Sequence, residues 1–216
     1  MKKAVIFDLD GTLLDTLDDI RDSLNIMLER YGFSTATENE VRFYVGNGAR
    51  NLVKRAIKQN VPETLLDECL DFYNHVYNNS GSPRTKLFDG VADALISLKS
   101  RGYKLAILTN KPQQSTDRIY EKYLKEFNFD EVVGQSPSVA CKPDKTATLN
   151  ILKRLGVETG KAYFVGDGET DVMTSINAGT RGIAALWGNR TEEQLAAVGA
   201  TVFAKTPADL ERLITL

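Results

Sequence analysis

Histidine is nearly missing from this chain of 216 residues: His75 stands alone. That count excludes mechanisms needing two histidines, such as hydrolysis at a zinc held by a His-Glu-x-x-His helix. Cysteine is almost as scarce. Cys69 and Cys141 make neither a Cys-x-x-Cys pair nor a zinc-ligand spacing, which points to reduced thiols in a cytoplasmic protein. An excess of either charge is also lacking. With 27 basic and 29 acidic residues the net charge is −2, so there is no electrostatic footprint for nucleic acid or for an anionic membrane. A phosphate group bound here must therefore be held by a local site, together with a metal. Long apolar runs are absent too, since no stretch approaches the roughly 20 residues of a membrane span. After Lys2 and Lys3 the apolar run is only Ala4 to Phe7, too short for the core of a signal peptide.

What is present suits a soluble globular chain: 42% apolar and 26% charged residues, at a length for one sizeable domain or a core with a small insert. The second half alternates short apolar runs (104–109, 162–165, 182–186, 201–203) with helical patterns. Val91, Leu95 and Leu98 recur at helical spacing before Gly102, and Leu149, Leu152 and Leu155 before Gly156. This pattern predicts a parallel sheet covered by helices on both faces. Ala4 to Asp8 is one more buried strand, set apart from the others. Between it and residue 88 or so the pattern is helical only. Thr16 with Asp19 and Thr37 with Glu40 can cap two helices, and two more fit 49–59 and 62–78. The expected architecture is thus α/β: a Rossmann-like core of residues 1–14 and 89–216, interrupted after its first strand by a small helical bundle of residues 15–88. Residues 78–84 (NNSGSPR) read as the returning loop.

Four short segments carry chemistry. In Asp8-Leu9-Asp10-Gly11-Thr12, residues two apart on an extended segment project to one side, so Asp8 and Asp10 face one spot at a strand's carboxyl end. Gly11 allows the sharp turn there. Close carboxylates repel unless a cation or proton intervenes, and a hard ion such as Mg²⁺ fits oxygen donors. Gly166-Asp167-Gly168-Glu169-Thr170-Asp171 brings more acids to a second strand end. Thr170 or Asp171 also fits a helix cap, which leaves Asp167 unexplained. Thr109-Asn110 ends a third strand, where a hydroxyl and N–H groups can hold phosphoryl oxygens, although Asn is also an ordinary turn residue. Lys142 precedes Pro143, which suits the first position of a helix ending near Leu155. Its ammonium can serve a phosphate and a carboxylate; a lone lysine there also fits a surface.

Taken together and in order, DLDGT (8–12), Thr109-Asn110, Lys142 and GDGETD (166–171) resemble the four motifs of the haloacid dehalogenase superfamily, over essentially the whole chain. The resemblance implies roles. Asp8 would be nucleophile and metal ligand. Asp10 would be general acid and base, with its backbone carbonyl on the metal. Asp167 would be a direct Mg²⁺ ligand, and Asp171 would orient the water around the ion. Thr109, Asn110, Lys142 and Gly11 would hold the phosphoryl group. The insert would be the family's small cap. Dehalogenases of the family lack the second aspartate, so Asp10 implies phosphoryl transfer: a Mg²⁺-dependent phosphomonoester hydrolase acting through a phosphoaspartyl intermediate on a small-molecule phosphate ester. Gly168 departs from the Ser common at that position, removing a hydroxyl but no carboxylate.

The segment Val45-Gly46-Asn47-Gly48-Ala49-Arg50 resembles the cap loop of phosphoglycolate phosphatases, and Asn47 and Arg50 become candidate substrate contacts, with Arg50 on a substrate carboxylate. A Gly-rich helix start with a solvated arginine is the plainer reading. Pyrophosphatase, sugar-phosphate phosphatase and phosphoglucomutase activities share this fold and stay open, as does a binding module without turnover. The enzyme is expected as a monomer or homodimer. His75, Trp187 and a buried, inert Cys141 are expected to be structural.

Overall fold

A run of Ala4, Val5, Ile6 and Phe7, buried on both faces, makes Lys3–Phe7 (β1) the centre of a sheet. The structure is a computed structural model and describes residues 2–215. After β1 come β2 (Leu14–Asp15), the helices α1 (Leu17–Arg30), α2 (Glu38–Tyr44), α3 (Ala49–Ile57) and α4 (Glu63–Asn79), and β3 (Lys86–Leu87). Then α5 (Val91–Ser100), β4 (Tyr103–Pro112), α6 (Gln113–Tyr123), β5 (Glu131–Gln135), α7 (Thr146–Leu155) and β6 (Ala162–Gly166) follow. The chain closes with α8 (Glu169–Ala178), β7 (Arg181–Ala185), α9 (Glu192–Ala197), β8 (Phe203–Ala204) and α10 (Asp209–Leu213).

Six strands form a parallel sheet in the order β5-β4-β1-β6-β7-β8. Alternate side chains of β1 enter opposite layers, as a strand's period of two requires. Val5 and Phe7 join Leu95, Leu98 and Leu210 on one face, while Ala4 and Ile6 join Ile151 and Leu152 on the other. Helices α1 to α4 enclose a separate apolar cluster that includes Leu24, Met27, Val53, Cys69 and Tyr73. β2 and β3 pair antiparallel, so the two ends of the helical segment meet in a short ribbon. Among the described residues, no helix is long and apolar enough to cross a membrane.

Several local expectations are corrected. Pro143 does not open a helix: it follows a cis Lys142–Pro143 peptide in a turn, and α7 begins at Thr146. Leu149 is exposed, and α7 buries Ala147, Thr148, Ile151, Leu152 and Leu155 instead. Thr37 and Glu40 do form a reciprocal cap on α2, but Thr16 makes no side-chain cap on α1. The Thr16 hydroxyl is given to Asp10, and Asp19 instead accepts from the Thr85 backbone N–H and hydroxyl on the returning chain. Both cysteines are free, yet Cys141 is exposed rather than buried.

Candidate active site

Sheet order decides what meets. β1 lies between β4 and β6, so the carboxyl ends of these three neighbours stand side by side, carrying Asp8, Thr109 and Asp167. The Asp8 N–H continues the ladder to Val165 O at 2.9 Å before the chain turns at Gly11. Gly11 has φ +86°, and a Cβ there would collide with the carboxylate of Asp167 and the amide of Asn189. Glycine is thus demanded twice, by dihedral and by space.

Asp8, Asp167 and Asp171 each offer a carboxylate oxygen within 4.8 Å of the others, all three side chains being buried. Thr12 donates its hydroxyl to Asp167 Oδ1 (2.9 Å), and Asn189 donates its backbone N–H (2.8 Å) and side-chain amide (3.0 Å) to Oδ2. Asp171 accepts from the Gly168 N–H at 2.9 Å and from Lys142 Nζ at 2.6 Å. Lys142 Nζ also lies 2.8 Å from Asp8 Oδ1, but out of alignment, so this buried oxygen accepts no hydrogen bond. Burial, with the nearby charge of Asp171 and against the pull of Lys142, raises the Asp8 carboxyl to about 7. Burial and the Asp8 charge raise Asp167 to about 6, against the donors Asn189 and Thr12. Asp171 is likewise raised by burial, with Lys142 opposing. Burial disfavours the Lys142 ammonium, but Asp171 and Asp8 outweigh it and its pKa is raised. Three buried carboxylates thus face one ammonium. An orphaned carboxylate oxygen, an all-oxygen donor set and this uncompensated negative charge fit a divalent metal ion.

Asp10 stands apart from this cluster. Its carboxylate accepts from Thr16 Oγ1 at 2.8 Å and from Lys111 Nζ at 3.0 Å to each oxygen. Asp8, Asp10, Thr109 and Lys111 floor a cavity of about 60 Å³, and Val45, Gly48, Leu52, Tyr73 and Tyr77 of the helical segment roof it. Asn110 also lines the cavity, but its amide is committed. Its oxygen accepts the Lys142 N–H (2.7 Å), and its nitrogen donates to Gly46 O (3.0 Å) and Lys142 O (3.2 Å). It clamps the Lys142 peptide rather than offering its side chain to phosphate. Arg50 is exposed and paired with Glu63 and Asp67 on the helical segment, and neither it nor Asn47 lines the cavity. Acids of α4 hold the Arg50 guanidinium on the helical segment.

Sequence reasoning missed Lys111, Thr12, Thr16, Asn189 and Arg190. Lys111 had a signal, since it lies two residues beyond Thr109 on one strand and so shares its side. Asn189 and Arg190 follow a strand tip that was itself legible (182–186), but nothing in their types marks them.

The family model described as haloacid dehalogenase-like hydrolase matches residues 5–185. The chain belongs to that family. Phosphoglycolate phosphatase 1 of Pseudomonas aeruginosa is 32% identical, over 97% of this chain and 79% of that protein. The phosphoglycolate phosphatase of Aquifex aeolicus is 33% identical, over 86% of this chain and 85% of its own length. A solved structure from Lactobacillus delbrueckii subsp. bulgaricus, whose assignment as a phosphoglycolate phosphatase is itself provisional, superposes with TM-score 0.89 at 30% identity and 99% coverage of both chains. This haloacid dehalogenase-like hydrolase is therefore a phosphatase, similar to the phosphoglycolate phosphatases over nearly its whole length. A small-molecule phosphate ester as substrate is consistent with that activity.

Proposed function

We propose that the enzyme is a Mg²⁺-dependent phosphoglycolate phosphatase that forms a phosphoryl-aspartate on Asp8, with residues 15–88 as its cap. The reading rests above all on one observation: Asp8 belongs at once to a buried cluster with Asp167, Asp171 and Lys142 and, with Asp10, to the lining of the cavity. Asp8, Asp10 and Asp167 would hold the Mg²⁺, which supplies charge neutralisation for an incoming phosphate dianion. Lys142 and Thr109 hold the phosphoryl oxygens in flight. A carboxylate oxygen of Asp8 attacks phosphorus, the phosphorus–ester oxygen bond breaks, and protonated Asp10 gives its proton to the leaving oxygen. Water then attacks phosphorus, Asp10 takes the water's proton, and the bond to Asp8 breaks to free phosphate.

Two observations favour a small substrate. The cavity is of about 60 Å³ and is lined on one side by α3, α4 and the loop before α3. The curated relatives above carry phosphoglycolate in their names. The test is a panel of phosphoglycolate, pyrophosphate, hexose phosphates and nucleoside monophosphates, with Mg²⁺ and with a chelator. Phosphoglycolate is expected to give the highest kcat/KM, only with metal, and Asp8→Asn to lose at least about 10³-fold in kcat. A poor rank for phosphoglycolate sinks the substrate, and an active Asp8→Asn protein sinks the mechanism.

A further inference from the structure

A second ammonium lies in the catalytic cavity, and the chemistry above gives it no task. Lys111 is buried, its side chain only 5% exposed, and its Nζ lines the same space as Asp8. Its Nζ donates to both oxygens of the Asp10 carboxylate, at 3.0 Å each. The Tyr77 ring centroid lies 4.4 Å from Nζ. A lysine ammonium has three donors, so one remains for something other than Asp10. The ammonium is ion-paired with the Asp10 carboxylate at 3.0 Å. On the same wall the Tyr77 hydroxyl is buried with no hydrogen-bond partner. A buried hydroxyl without a partner and a buried cation with a spare donor, side by side, describe an anion site.

Its position says which anion. Asp8 faces phosphorus and Asp10 faces the leaving oxygen, on the reading proposed above, upon which this inference rests. Lys111 touches Asp10, so it sits where the leaving alcohol extends. In phosphoglycolate one methylene separates that oxygen from a carboxylate. Arg50, the other cation in reach of sequence reasoning, is turned away to Glu63 and Asp67. We propose that Lys111 and the Tyr77 hydroxyl form the subsite for the leaving group's carboxylate and thereby select α-carboxylated phosphate esters over neutral ones.

Ethyl phosphate is the fitting control, because it replaces the carboxylate of phosphoglycolate by a methyl group and keeps the ester. The readout is the ratio of kcat/KM for phosphoglycolate to that for ethyl phosphate, with Mg²⁺ present. In Lys111→Met the ratio should fall by about ten- to a hundred-fold, the worth of a charge-assisted hydrogen bond, chiefly through KM for phosphoglycolate. Tyr77→Phe, which removes one oxygen and keeps the packing, should lower the ratio several-fold. It decides the matter if Lys111→Met fails to fold by circular dichroism. Parallel losses on both esters, with the ratio kept in both variants, overturn the subsite and leave the proposed reaction standing. A wild-type enzyme that does not distinguish the two esters overturns the subsite and the phosphoglycolate reading together.

Discussion

Asp8 and Asp10 are separated by one leucine, yet the fold gives them different partners. Asp8 joins a buried anionic cluster, whereas Asp10 is held by a hydroxyl and an ammonium on the cavity wall. That division suits a nucleophile and a proton carrier, and it makes a residue-scale prediction. Asp10→Asn should cost about 10²- to 10⁴-fold in kcat on an alkyl phosphate, whose alkoxide needs a proton to leave. With p-nitrophenyl phosphate the first step needs no proton. Asp10→Asn should then release nitrophenol in a burst of about one equivalent per enzyme, followed by slow turnover as water attack limits. Rapid-mixing absorbance reads this directly, and a burst-free, uniformly slow time course would mean that Asp10 serves neither step as assigned. At this scale the sequence was informative wherever function dictates residue type. Asp8 and Asp167 could be picked out because acids at strand tips have no packing reason to be there, and Asp171 and Lys142 through the order of the four motifs. The pairing of Arg50 was not legible, because its partners, Glu63 and Asp67, lie on another helix and leave no mark in its own segment.

Among the elements, the joint between α2 and the sheet turns on Arg190. Its guanidinium is buried, pairs with Glu169 at 2.9 Å, and donates to Arg42 O (2.6 Å), Val45 O (3.0 Å) and Phe43 O (3.3 Å) at the end of α2. A cation on the last carbonyls of a helix satisfies acceptors that have no helical partner. The adjacent Asn189 holds Asp167, so one loop grips both the acidic cluster and the helical segment. Arg190→Ala should lower the unfolding free energy by about 2–3 kcal/mol, toward the modest end for a broken pair because Glu169 is a third exposed and can be resolvated. Arg190→Lys should recover little, since one ammonium cannot span three carbonyls and a carboxylate. Urea denaturation measures both, and a loss below about 0.5 kcal/mol for the alanine variant would show the joint to be idle. Elements with a continuous apolar run or a long helical pattern were readable in advance, as β1, α4 and α5 were. β5 was not: Glu131–Gln135 is an edge strand of half-buried residues and lacks a continuous apolar run. The β2–β3 ribbon has two residues a side, too few for any period to register. Pro143 misled because its preference for a helix start is a tendency, and the Lys142 peptide is instead clamped by Asn110, 32 residues away along the chain.

For the whole molecule, the consequence of crowding carboxylates at two neighbouring strand tips is a stability that depends on pH and metal together. In the unfolded chain an aspartate titrates near 3.9. Folded without a cation, Asp8 titrates at about 7 and Asp167 at about 6, both held up first by burial. Between about pH 4 and 7 the folded state therefore binds protons that the unfolded state has released, and the stability slope with pH is negative there. The favourable contribution is complete below about pH 4 and lost as pH passes 7, where the folded protein must keep desolvated, mutually repelling carboxylates charged. A divalent cation needs those same groups deprotonated. It should thus restore most where the metal-free protein has lost most. Thermal unfolding in a chelator should show Tm falling from pH 5 to pH 8, whereas with millimolar Mg²⁺ the fall should be small, so that the metal-induced rise in Tm grows with pH. Asp167→Asn removes one charge from the cluster and should flatten the chelator curve while shrinking the Mg²⁺ effect. A Mg²⁺ stabilisation equal at pH 5 and pH 8, or undiminished in Asp167→Asn, would place the ion somewhere other than among these carboxylates.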